Sequence, residues 1–109
     1  MIGADTANRE ARLLEALKDV EDPELPVSVV DMGLIVALRA NGSRVHVDIT
    51  FTAMGCPAMD MIMEDVRARL MREPDVEDVE IEVVWDPIWT KDRLTDDAKM
   101  QLRAWGISL

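Results

Sequence analysis

Residues 45–52 alternate without a break. Val45, Val47, Ile49 and Phe51 are apolar, and His46, Asp48, Thr50 and Thr52 between them are polar. Period-two patterning describes a strand with one face buried and the other in water. Residues 57–72 then change period. Met59, Ile62, Met63, Val66 and Leu70 fall at i, i+3, i+4, i+7 and i+11, the stripe of an amphipathic helix. Pro57 suits its first turn and Pro74 lies just past its end. A second alternation follows, Val79, Ile81, Val83 and Trp85 against Glu80, Glu82 and Val84. Two strands joined through a helix of this length can lie parallel, and two strands joined by a short turn cannot.

The flanking sequence completes the architecture. Leu34, Val36 and Leu38 alternate ahead of Asn41-Gly42, a strong hairpin-turn signal. Residues 5–19 read as a helix with Leu13, Leu14 and Leu17 on one face and Asp5 or Thr6 as its cap. Pro23 and Pro26 disfavour helical geometry at the residues before them. Gly33 is free to take a positive φ. "WDPIW" breaks the third strand, and a last helix is predicted from Thr95, an N-cap, to Gly106, a terminator. The expected fold is α+β, in the order α-β-β-α-β-α. A mixed three-stranded sheet, a β-hairpin plus a third strand, carries helices on one face. A chain of 109 residues suggests a single domain, 1–109.

Charge narrows the partners. Twenty-two acids against 12 bases leave a net charge of -10, which repels nucleic acid and anionic lipid and leaves neutral or basic partners. No apolar run approaches a membrane span, and the N-terminus lacks the pattern of a signal peptide. The one cysteine cannot form an internal disulfide and fits a reducing cytoplasm.

That cysteine sits in "FTAMGCPAMDMI". With Pro57 as the first helical residue, Cys56 is the N-cap, where free N–H groups and the helix dipole favour thiolate over thiol. The residues alone leave two readings open: a thiolate placed to meet metal or an electrophile, or a small residue filling a strand-to-helix bend. His46, the only histidine, shares the parity of Thr50 and Thr52 and is expected to face solvent, which makes a Cys–His pair for a thiol enzyme a weak third reading. One cysteine and one histidine do not make a closed zinc site. Asp22, Glu24 and Asp31 cluster around prolines and a turn, either bonding their own backbone or lining a carboxylate rim near the thiol. Met54, Met59, Met61 and Met63 read as core or as a soft surface beside Cys56. Trp85, Trp89 and Trp105 read as anchors of the tail, with partner contact as the alternative.

Three stretches in order, "DPELPVSVVDMGLI", "TAMGCP" and "WDPIWTKDRLTDDAK", resemble the PaaD/SufT-like iron–sulfur cluster assembly domain family, over about residues 10–107. The family's threonine-x-x-glycine-cysteine-proline motif falls on Thr52, Gly55, Cys56 and Pro57. Its acidic motif falls on Asp22, Pro23 and Glu24, its turn aspartate on Asp31, and its tryptophan–proline stretch on Trp85, Asp86, Pro87 and Trp89. This chain has Ile88 after Pro87 and Ala53-Met54 before Gly55 where the family often has proline. The resemblance implies an accessory factor in iron–sulfur or metalloenzyme maturation rather than an enzyme, with Cys56 contacting metal or sulfur. It implies a transient iron or iron–sulfur cluster rather than a stable single-chain cofactor. It also implies a client iron–sulfur or iron enzyme as partner. The alternative reading is a PaaD-like accessory or binding protein dedicated to an aromatic-ring or hydrocarbon oxygenase system, with an oxygenase subunit as partner. Separately from the resemblance, a homodimer is one way to supply a second Cys56 to a metal site.

Overall fold

A computed structural model describes residues 2–21, 27–52 and 58–106 of the chain. Helix α1 (Ile2–Ala16) runs into a 3-10 turn at Leu17–Asp19. Strands β1 (Ile35–Asn41) and β2 (Arg44–Ile49) follow, then α2 (Ala58–Met71), β3 (Asp78–Val83) and α3 (Asp96–Ala104). The strand order is β1-β2-β3, with β1 antiparallel and β3 parallel to the central β2. The mixed sheet and the element order are those the patterning predicts.

Val45, Val47 and Ile49 are fully buried and define the core face of the sheet. Each pairs with an apolar residue of β3: Val79, Ile81 and Val83 in turn. Helix α1 packs on β1 and α2 on β3, closing the core with Leu13 and Leu17 from the first and Ile62, Val66 and Leu70 from the second. Met59 and Met63 of the α2 stripe pack against it from the side. The helices also hold the two edge strands. Glu10 accepts a hydrogen bond from the Ala40 amide of β1 at 2.8 Å, and Arg67 donates one to the Val79 carbonyl of β3 at 2.7 Å.

Four details depart from the sequence reading, each for a local reason. Helix α1 starts at Ile2, so Asp5 and Thr6 lie inside it rather than capping it; only Gly3 among those first residues resists helix. The hairpin loop is Gly42-Ser43, since Asn41 already pairs with Arg44, and Gly42 takes the positive φ of 61° that a tight hairpin turn requires. A bulge lies between Ile35 and Ala37. It makes Ile35, not Val36, the partner of buried Ile49, and returns Leu38 and Ala40 to the core face opposite Val47 and Val45. Thr50, expected in solvent by parity, is fully buried. β2 has ended at Ile49, and the Thr50 amide turns to the Leu34 carbonyl at 2.8 Å.

Helix α3 is capped as expected: Thr95 Oγ1 accepts from the Ala98 amide at 3.1 Å, and Gly106 beyond its end has φ 83°. It docks beside the turn formed by residues 28–34 rather than on a strand. Ala98 and Leu102 carry its buried side.

Candidate functional site

The turn at residues 28–34 is built by Ser28 and Asp31. The Asp31 amide donates to Ser28 Oγ at 3.0 Å, and Ser28 Oγ donates to Asp31 Oδ2 at 3.2 Å. Such local bonding is what an aspartate in a turn does when left to its own backbone. Asp31 also reaches across the chain. Its Oδ1 accepts from Thr95 Oγ1 at 3.1 Å, and its carbonyl accepts from the Thr95 amide at 3.0 Å. The next two residues are held by the same distant segment. Trp89 Nε1 donates to the Met32 carbonyl at 2.7 Å, and Arg93 Nε to the Gly33 carbonyl at 2.8 Å. Gly33 has φ 75°, and a side chain on it would run into the Arg93 backbone. The close approach and the positive φ both require glycine.

The strand that leads toward Cys56 joins this assembly. The Thr50 amide bonds Leu34, the Val84 amide bonds Ile49, and the Phe51 ring packs on Trp85 with centroids 6.4 Å apart. Three stretches far apart in sequence therefore converge at the carboxyl ends of β2 and β3: 28–34, 49–52 and 84–95. In open sheets with parallel strands, ligands favour the crevice at those ends. Thr52, the first residue of the cysteine motif and the last described before Cys56, is exposed there.

The structure thus brings Asp31, Trp85 and Trp89 into one region with Phe51 and Thr52. Asp22, Glu24, Gly55, Cys56 and Pro57, together with Ala53 and Met54, lie outside the described residues. The chain that carries Cys56 leaves at Thr52 and re-enters at Ala58, the first residue of α2. Of the tryptophans, Trp89 is the anchor, half-buried and hydrogen-bonded. Trp85 is partly exposed over Phe51, and Trp105 is 71% exposed. Ser28, Arg93 and the second role of Thr95 escaped the sequence reading. The last two act across a gap of sixty or so residues that no local pattern marks.

His46 sits away from this region, midway along β2 on the face opposite the core. Its Nε2 lies 2.7 Å from Asp48 Oδ1. It is half-buried rather than free in solvent, because carboxylates on β2 and β3 crowd it.

Comparison with known proteins converges on one group. The profile of the family described as "Iron-sulfur cluster assembly protein" matches residues 10–83. The "Fe-S protein maturation auxiliary factor YitW" of Bacillus subtilis is 39% identical over 92 residues, 83% of this chain and 89% of that protein. One subunit of the "Putative 1,2-phenylacetyl-CoA epoxidase" of Escherichia coli is 33% identical over 93 residues, which span 84% of this chain and 56% of that one. A crystal structure of a DUF59 domain from Bacillus anthracis superposes with a TM-score of 0.87 at 34% identity, covering 97% of this chain and 99% of that one.

Proposed function

Because the chain belongs to the iron–sulfur cluster assembly protein family, we propose that it is an accessory factor in the maturation of iron–sulfur proteins. Cys56 is its working group, a thiolate that contacts metal or sulfur of the cargo transiently. The observation that carries this reading is the convergence of segments 28–34, 49–52 and 84–95 at the carboxyl ends of β2 and β3. Those segments share hydrogen bonds and a ring contact that hold the stretch leading into the Cys56 segment. A rigid frame around a reactive group is what transfer chemistry needs, since loose placement wastes binding energy on ordering.

The role is non-catalytic in this reading. One thiolate per chain is too few ligands to hold a cluster permanently, and the cargo is passed to a client. A second copy of the chain, bringing a second Cys56, is the simplest way to complete a transient ligand set. The test is Cys56→Ser in cells, with iron and acid-labile sulfide measured in purified iron–sulfur enzymes. The expected outcome is a clear loss of cluster occupancy with the accessory protein still folded and abundant. Unchanged occupancy removes the thiol from the proposal.

The similarity to an epoxidase subunit supports a second reading, an accessory protein dedicated to one oxygenase system. There the oxygenase is the partner, and exposed Trp85 is a natural contact. Co-purification that survives Cys56→Ser favours this reading; an interaction lost with the thiol favours the first.

A further inference from the structure

The parallel register of β2 and β3 sets His46 opposite Glu80 and Asp48 opposite Glu82. Successive same-face residues on a strand and their cross-strand neighbours make a two-by-two square, here one imidazole and three carboxylates on the polar face of the sheet. His46 Nε2 lies 2.7 Å from Asp48 Oδ1 and 3.6 Å from Glu82 Oε2. One ligand atom from each of the three residues falls within 4.8 Å of the others. On the opposite side of the ring, His46 Nδ1 faces Glu80 Oε1 at 3.9 Å. A shallow depression lined by Arg39, Arg44 and Glu80 opens onto the imidazole.

We propose that His46, Asp48 and Glu82 form a binding site for a divalent first-row transition ion of the zinc type, independent of Cys56. An imidazole nitrogen with two carboxylates favours such an ion over calcium or magnesium, which take oxygen ligands alone. Bond lengths of about 2.0–2.2 Å place tetrahedral ligands roughly 3.3–3.5 Å apart. Glu82 already stands near that distance from Nε2. Asp48 needs to withdraw by less than about 1 Å, and Arg39 Nη2, 3.4 Å from Asp48 Oδ2, holds the far oxygen while it does. Glu80 then takes the outer position that carboxylates occupy behind metal-bound histidines, accepting from Nδ1 and fixing the tautomer. The ion keeps an open coordination position toward solvent.

The full-length protein is titrated with cobalt(II), read by its visible absorption, and the bound cobalt is then displaced with zinc(II). One equivalent is expected, with no thiolate charge-transfer band and with unchanged affinity in Cys56→Ser. His46→Gln and Glu82→Gln should each weaken binding at least about tenfold. The Glu82 side chain is 64% exposed, so its replacement leaves the fold intact and decides the matter even if His46→Gln is unstable. Absence of binding by the wild-type chain, unchanged affinity in Glu82→Gln, or loss of the site in Cys56→Ser overturns the proposal. None of these outcomes bears on whether Cys56 serves iron–sulfur maturation.

Discussion

The hydroxyl of Thr50 is fully buried and has no hydrogen-bond partner among the described residues. An unpaired buried hydroxyl costs about 1–3 kcal/mol. Thr50→Val keeps the shape and removes the polar atom. It should leave stability within about 1 kcal/mol of wild type, or raise it, as read from the urea midpoint. A loss above about 2 kcal/mol would mean that the hydroxyl is paired after all. The same residue marks where strand parity stops being informative. Alternation placed Val45, Val47 and Ile49 correctly because the ladder enforces it. One residue past the ladder, the Thr50 amide follows Leu34 instead, and burial no longer alternates. Asp31 was legible as a turn carboxylate for a similar reason, since its bonds to Ser28 span three residues. Its bonds to Thr95 span the fold and left no local trace.

Among the elements, α3 is joined to the 28–34 turn at its first turn by Thr95. Thr95 caps the helix through Ala98 and ties it to Asp31 through both side chain and backbone. Thr95→Ala removes the cap and the side-chain bond together. The expected cost is about 1–2 kcal/mol in chemical denaturation, while Thr95→Ser restores most of it. Equal loss in both variants would shift the cause to the threonine methyl. The cap was readable because Thr95 precedes two acids and an apolar face. The docking of α3 beside the 28–34 turn was not, since a helix sequence says which face is buried and not against what. The bulge in β1 was hidden as well. Leu34 through Leu38 is all apolar, so a shift of one residue leaves the composition of either face unchanged.

Across the whole molecule, Asp75 joins three parts of the chain. Arg9 and Arg12 of α1 reach it at 2.6 and 2.8 Å, and Arg9 also bonds the Gly42 carbonyl in the hairpin loop. The Arg12 hydrogen bond, with a smaller one from Arg9, holds the Asp75 carboxyl below its ordinary range despite partial desolvation. A carboxyl whose pKa is lowered by folding stabilises the folded state fully above the unfolded value, about 3.9. That contribution is lost as pH falls through the lower, folded value. Asp75 is partly exposed, so solvent screening keeps the gain near about 1 kcal/mol or below. Asp75→Asn should therefore be slightly less stable than wild type at about pH 7. The two urea midpoints should converge as the pH is taken below about 3.9. A difference that persists at the acid end would assign the effect to packing.

A three-stranded sheet has two open margins, and each is an invitation for another chain to add a strand. Here Glu10 occupies an amide on the β1 margin and Arg67 a carbonyl on the β3 margin. Asp78, Glu80 and Glu82 alternate along β3, so a second copy laid beside it would bring like charges together. Both margins thus carry a device that disfavours growth of the sheet by self-addition. The carboxyl ends of β2 and β3, where Thr52 is exposed, carry neither of these two guards.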